Sequence, residues 1–315
     1  MKYCFGIDIG GTTVKMGLFQ EDGKLLEKWE IKTKTENEGE AILPDITQSL
    51  NIKMEEREID REDILGIGVG IPAPVTEDGV VENTANLGWG YKEVKRELQE
   101  LTGGINVEVC NDANAAALGE MWLGGGKGSR NMIMVTLGTG VGGGIIVNGQ
   151  CVVGSHGAGG EIGHICVNYQ ETEPCGCGNK GCLEQYNSPT GIVRLTKRRL
   201  EQDEGPNRLR RSRQISAKTV FDAVKADDIL AIEVATEFGK ILGSALANLA
   251  AACDPEVIVI GGGVSRAGEV LLGYIEKPFQ QRAFFANKKT RFCLAELGND
   301  AGICGAAKLV LGVEK

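Results

Sequence analysis

Apolar and polar positions alternate from the start of the chain. Residues 3–9 and 13–19 each read as a strand, separated by Gly10, Gly11, Thr12 and Thr13. Asp22–Gly23 sits between apolar residues and predicts a hairpin, so three antiparallel strands open the chain. A helical spacing follows at about 39–54. Residues 64–71 form an unbroken apolar run that stops at Pro72 and Pro74, the pattern of a strand buried on both faces. An amphipathic helix is predicted at 91–102 and a short strand at 107–110. Asn111 and Asp112 then lead into an Ala-rich helix at 113–121.

After a glycine-rich break at 124–128 the opening pattern returns. A strand at 132–137 leads into the glycine-rich stretch 138–144, then a second strand to Val147 and a turn at Asn148–Gly149. FGIDIGGTTVKMGLF and MIMVTLGTGVGGGIIV are both strand, Gly/Thr turn, strand, hairpin, which suggests a weak internal duplication. Two copies of one α/β unit facing each other would bring both turns to a shared cleft. The remainder reads as helical from about 190 to 252, with a strand at 257–260 running into Gly261, Gly262 and Gly263 and a last helix at about 301–312.

The length of 315 residues suggests two domains. The net charge of −9 argues against a general nucleic-acid binder, which needs a basic face. Residues 194–213 are locally rich in Arg and Lys. A solvated helix and loop is the simpler reading, and a site for an anionic partner is the other. There is no apolar run long enough to span a membrane and no signal-peptide pattern, so a cytoplasmic protein is expected.

Four groups of residues carry chemistry. The first is Asp8, Gly10, Gly11, Thr12, Thr13 and Lys15. Adjacent glycines let backbone N–H groups approach a phosphate, hydroxyls add donors, and a carboxylate can hold Mg²⁺ through water. A plain hairpin turn is the alternative. The second is Gly138, Thr139, Gly140 and the glycines up to Gly144. Because these glycines lead into a strand and not a helix, they do not fit a dinucleotide fingerprint, and no P-loop spacing occurs in the chain. The third is Asn111–Asp112, read either as a helix cap or as a carboxylate placed to accept a proton from a sugar hydroxyl.

The fourth group is Cys175, Cys177 and Cys182, with His164 eleven residues before the first of them. Three thiolates and one imidazole make a closed tetrahedral Zn²⁺ site, which is structural. Such a knot would hold Glu161, His164 and Glu184 together as polar groups for a hydroxyl-rich ligand. Of the other cysteines, Cys4, Cys110, Cys151, Cys253, Cys293 and Cys304 lie in apolar or strand-like surroundings and read as buried, reduced residues. Cys166 fits neither group. His156 reads as a loop residue.

Taken in order, Asp8-x-Gly-Gly-Thr, Asn111-Asp112-x-Asn114-Ala, Leu137-Gly-Thr-Gly-x-Gly-Gly-Gly, Glu161-x-Gly-His164 and Cys175-x-Cys-Gly-x-x-Gly-Cys182-x-Glu184 resemble the ROK family of sugar kinases and repressors, and within it the bacterial glucokinases. The resemblance implies an α/β, actin-like or hexokinase-type (ribonuclease H-like) fold of two domains with a central cleft. It implies a smaller domain at 1–112, completed by a C-terminal helix at 301–315, and a larger one at 113–300 that carries the zinc loop.

By the same resemblance, the Asp8–Thr13 turn with Lys15, and Gly138, Thr139 and Gly140, hold the phosphates of ATP with Mg²⁺. Gly261, Gly262 and Gly263 lie near the adenosine. Asp112 is the base for the sugar 6-hydroxyl. Asn86, Asn111, Glu161, His164 and Glu184 bind the other hydroxyls, and His164 also serves zinc through its second ring nitrogen. A hinge would close on the sugar and exclude water.

The expected activity is ATP-dependent phosphorylation of glucose. Kinases of N-acetylmannosamine, N-acetylglucosamine, fructose or allose share these motifs. The repressors of the family carry a DNA-binding segment ahead of the first strand, which begins here at residue 3, so repression is not expected. The partners implied are sugar and ATP, with neither nucleic acid nor membrane, in a homodimer or homotetramer. One departure stands out: Cys110 occupies a position where the family often has Glu, and a change in packing is expected there.

Overall fold

The computed structural model describes residues 1–312. In chain order the first elements are β1 (Tyr3–Ile9), β2 (Thr13–Gln20), β3 (Leu25–Lys32), α1 (Ile42–Glu56), β4 (Ile64–Ile71), the two-residue strands β5 (Val80–Val81) and β6 (Lys92–Glu93), α2 (Val94–Leu101), β7 (Val107–Asn111) and α3 (Asp112–Leu123). Then come β8 (Met132–Leu137), β9 (Val141–Val147), β10 (Gln150–Cys151), α4 (Glu184–Asn187), α5 (Pro189–Gln202), α6 (Arg208–Arg211), α7 (Ala217–Val224), α8 (Ile229–Cys253), β11 (Val257–Gly261), α9 (Glu269–Arg282), β12 (Arg291–Leu294) and α10 (Ala301–Leu311).

Two five-stranded sheets share one layout. The first runs β3-β2-β1-β4-β7 and the second β10-β9-β8-β11-β12. In the first, β1 to β3 are antiparallel while β1, β4 and β7 run parallel. In the second, β8, β11 and β12 run parallel and β9–β10 is an antiparallel hairpin. The repeated motif in the sequence thus corresponds to a repeated sheet.

The described residues divide into two compact units, residues 1–130 with 144–160 and 296–312, and residues 131–143 with 161–295. This differs from the expected boundary at 112/113. Asp112 and Ala113 are consecutive residues of one helix, and α3 packs along α10 within the first unit. Small residues make that packing possible: a Cβ on Gly305 would fall 1.6 Å from the Ala115 carbonyl oxygen. Of the expected C-terminal helix, Ala301–Leu311 is helical, and 313–315 lie outside the described residues.

One face of the first sheet buries Phe5, Ile7, Met16, Leu18, Val69 and Ile71 against Ile42, Ile46 and Leu50 of α1. The other face buries Cys4 and Phe19 against Ile303, Cys304 and Ala307 of α10. Each large side chain fully buried in this way contributes roughly 1.5–3 kcal/mol. Glu120 of α3 is fully buried. Its carboxylate accepts the N–H groups of Gly125 (2.9 Å), Glu296 (3.0 Å) and Leu297 (2.9 Å), which anchors the start of the segment leading into α10.

The second unit is helix-rich around its sheet, with α8 and α9 packed together. The basic segment 194–213 is largely neutralised or tied down locally. Arg194 pairs with Glu171 and Glu173, Arg199 with Glu233, and Arg210 donates to the backbone carbonyls of Leu200 and Asp203. This favours the solvated-helix reading. Among the described residues, Cys4, Cys110 and the other cysteines outside β12 are in no disulfide. Cys4, Cys110 and Cys304 are buried as expected, whereas Cys151, Cys253 and Cys293 are only partly so, since each lies near the end of its element. Among the described residues, no helix is long and apolar enough to cross a membrane.

Candidate functional site

In the first unit the expected residues gather at the ends of β1, β4 and β7. Asp8 faces Lys15 across the β1–β2 ladder, with 3.9 Å between carboxylate and ammonium. Burial pushes the Asp8 carboxyl above its usual range, and Lys15 offsets part of that. Lys15 also reaches the Asn299 carbonyl at 3.5 Å. The turn is braced from behind: Gly10 N–H donates to the Thr13 carbonyl, and Thr33 donates through its hydroxyl to the Gly10 carbonyl and through its N–H to that of Thr12. Gly11 and Thr12 are left at the surface. Asn86 stands beside them, its Cβ 3.1 Å from where a Gly11 Cβ would be.

Asn111 is the N-cap of α3. Its side-chain oxygen accepts from Ala113 and Asn114 N–H, and its amide nitrogen donates to the Ala73 carbonyl at 3.2 Å. The capping reading of Asn111 is therefore correct, and such a cap contributes about 1 kcal/mol. Asp112 is the first helical residue, partly buried, and its Oδ1 accepts the Ala113 N–H at 2.8 Å. The N-terminal end of the helix dipole favours an ionised carboxylate at this position. Cys110, one residue before the pair, is buried, and burial pushes its thiol well up. It is a buried packing group.

In the second unit Gly138, Thr139 and Gly140 form a tight turn between β8 and β9, closed by the Gly138 N–H on the Gly140 carbonyl. The β8–β11 ladder pairs Thr136 with Gly261, which places Gly262 and Gly263 alongside that turn. Glu184 accepts the Val141 N–H at 3.0 Å. A Cβ at 140 would lie 2.0 Å from the Glu184 Oε2, so any larger residue there would push that carboxylate aside.

His164, Cys175, Cys177 and Cys182 come together with their ligand atoms all within 4.8 Å of one another. Cys177 and Cys182 sulfurs are 3.7 Å apart, and Cys175 Sγ is 3.9 Å from His164 Nδ1. A tetrahedron with ~2.3 Å metal–sulfur bonds has edges of roughly 3.8 Å, so the donor set fits Zn²⁺. With Nδ1 turned to the sulfurs, Nε2 faces Glu161 Oε2 at 4.0 Å. Cys175 Sγ reaches Glu184 Oε1 at 3.7 Å.

Sequence patterns missed the supports of this loop. Gln185 Oε1 accepts from both Gly181 and Cys182 N–H. Nearby, Glu171 accepts from Tyr186, Arg194 and the Glu173 N–H. Burial pushes the Glu171 carboxyl up, but together these donors outweigh it and hold the group at about 2. Asn299 and Gly302, before and within α10, were also missed as site elements: the Asn299 carbonyl meets Lys15, and a Cβ on Gly302 would lie 2.8 Å from the Asp8 Cγ. No local pattern marks Glu171 or Gly302, since each meets a partner from a distant segment, whereas Gln185 reaches back only three and four residues, a spacing the sequence does carry.

The family model described as "ROK family" matches residues 4–313. The chain belongs to the ROK family. This ROK chain is 43% identical over 314 residues to a glucokinase of Halalkalibacterium halodurans, covering 98% of the chain and 95% of that relative. It is 35% identical to a glucokinase of Thermotoga maritima, with 97% and 96% covered. Among solved structures, a ROK family glucokinase from Streptomyces griseus in complex with glucose and AMPPNP matches with a TM-score of 0.72 and 33% identity, covering 98% of each chain. The two-domain α/β kinase fold expected for a ROK protein is thus the one found.

Proposed function

We propose that this protein is a glucokinase that transfers the γ-phosphoryl group of ATP to the 6-hydroxyl of glucose. The observation that carries the reading is Asp112, a carboxylate held at the N-terminus of α3 by a capped helix. The near full-length identity to proteins named glucokinase supports glucose as the acceptor.

Asp112 takes the proton from the 6-hydroxyl as it attacks, a role typically worth ~10²–10⁴-fold. Asn86, Glu161, His164 and Glu184 accept from or donate to the remaining hydroxyls. Asn111 contributes chiefly by fixing Asp112, since its own side chain already serves the cap and Ala73. The turn from Asp8 to Thr13, with Lys15, and the turn Gly138–Gly140 hold the phosphates, and Gly261–Gly263 the adenosine side. Mg²⁺ bound with the nucleotide neutralises phosphate charge, and Asp8 is the oxygen donor suited to it.

His164, Cys175, Cys177 and Cys182 hold a structural Zn²⁺, which locks the loop so that His164 presents Nε2 beside Glu161. Phosphoryl transfer asks for this kind of positioning and not for a covalent nucleophile. The protein works as a homodimer or homotetramer in the cytoplasm, with sugar and nucleotide as partners and with neither DNA nor membrane.

A coupled ADP-release assay across glucose, mannose, N-acetylmannosamine, N-acetylglucosamine and fructose tests the reading. Glucose is expected to have the highest kcat/KM. No ADP release with glucose removes the proposal, and a preference for an N-acetylated sugar moves the protein to the hexosamine kinases.

A further inference from the structure

Cys166 lies outside the four-donor set but is paired directly with one of its members. Val167 N–H donates to the Gly181 carbonyl at 2.7 Å and Leu183 N–H to the Ile165 carbonyl at 2.9 Å. Cys166 and Cys182 are therefore opposed in an antiparallel bridge, at the position between two hydrogen bonds. In such a pair the Cα atoms are about 4.5 Å apart and both side chains leave the same face. That lies within the roughly 4.4–6.8 Å spanned by disulfides. The Cys166 sulfur lies over the residue next to Cys182, 3.2 Å from where a Cβ on Gly181 would be. The two thiols differ in access: Cys166 is exposed and Cys182 is buried. An exposed sulfur beside a buried one is the arrangement of an attacking and a resolving cysteine.

We propose that Cys166 is a peroxide-sensitive thiol that forms a disulfide with Cys182 and so dismantles the zinc site. The disulfide follows from the bridge geometry alone, while the loss of zinc rests on the four-donor reading above. The Cys166 sulfur attacks one peroxide oxygen, the O–O bond breaks, and sulfenic acid and water result. The Cys182 sulfur then attacks the Cys166 sulfur, the S–S bond forms, the S–O bond breaks, and a second water leaves. In sum, two thiols and one hydrogen peroxide become one disulfide and two waters. The donor set falls from four to three. Glu184, two residues beyond Cys182 and bonded to Val141, loses the anchor of the loop that carries it.

The test uses the full-length protein as purified, with its zinc content measured first. Hydrogen peroxide is added, zinc release is followed with a chromogenic chelator, and the linked peptides are mapped without reduction. Cleavage after Glu171 and after Lys180 separates Cys166, the Cys175–Cys177 pair and Cys182 onto different fragments. The expected result is a Cys166–Cys182 linkage, with zinc release at least about fivefold faster than in Cys166→Ser and reversed by a thiol reductant with added zinc. Equal release in Cys166→Ser, no linkage at all, or a linkage of Cys182 to Cys175 or Cys177 overturns the proposal. Protein that contains no zinc at the outset refutes the four-donor reading instead, and the peptide map still decides the disulfide.

Discussion

The Glu184 carboxylate accepts the Val141 N–H at 3.0 Å through Oε2, and its Oε1 lies 3.7 Å from the Cys175 sulfur. One side chain thus joins the cysteine cluster to the glycine turn that ends at Gly140. Removing a charged hydrogen-bond partner typically costs about 1.5–3 kcal/mol. Glu184→Ala is accordingly expected to lower kcat/KM for glucose by ~10–100-fold and to raise the KM for ATP as well. Steady-state kinetics with each substrate varied decide this. An unchanged KM for ATP would show that the link to the turn does not matter for the nucleotide.

Asp112→Asn preserves the shape of the helix start but cannot take a proton. Turnover is expected to fall by ~10²–10⁴-fold, with glucose affinity, measured by calorimetry, changed little. Near-normal turnover in this variant would falsify the base assignment.

Gly302 lets α10 lie directly against Asp8. Alanine at 302 gains about 1 kcal/mol of helix propensity, while overpacking costs ~1–3 kcal/mol, so the net loss of stability should not exceed about 2 kcal/mol. The new Cβ must displace the Asp8 carboxylate, whose Cγ it would meet at 2.8 Å. Gly302→Ala is therefore expected to stay folded at the assay temperature, checked by thermal melting, and yet to lose most of its kcat. A fully active variant would show that the place of Asp8 is unimportant.

Glu171 supplies a pH dependence. Its carboxyl is held at about 2 in the folded chain against an ordinary value of 4.5. A carboxyl depressed by folding stabilises the protein above its unfolded value, and that contribution fades as the pH falls. Stability is expected to decline between about pH 5 and pH 2. In Glu171→Gln that limb should flatten, and at pH 7 the variant should be less stable than wild type. Urea titrations across this pH range measure both, and an identical acid limb in the two proteins would contradict the assignment.

Much of the architecture was legible in the order of residues. The hairpin at Asp22–Gly23, the strand at Ile64–Ile71 and the helix opened by Asn111 are local patterns, and each is found. α9 and β12 escaped notice, as did the two-residue strands β5 and β6. α9 carries Pro278 inside it, which reads as a helix break. β12 is only Arg291–Leu294, too short for an alternating pattern to stand out, and it exists because β11 offers it a parallel edge. The boundary expected at 112/113 failed for a related reason: a change of motif along the chain does not reveal which unit a helix packs on.

For the site, the residue types and spacings alone determined the four donors, the glycine turns and the Asn-Asp helix start. The members of the glycine turns, the cysteine trio and the Asn-Asp pair sit a few residues apart, so local backbone geometry largely dictates where they go, and His164, eleven residues before Cys175, joins the trio through the loop between them. The tertiary structure decided which distant segments meet them: α10 on Asp8, Val141 on Glu184, Tyr186 and Arg194 on Glu171, and Cys166 on Cys182. Those pairings depend on strand register and on how closely helices can approach a sheet, which packing sets across the whole unit and no short stretch of sequence records.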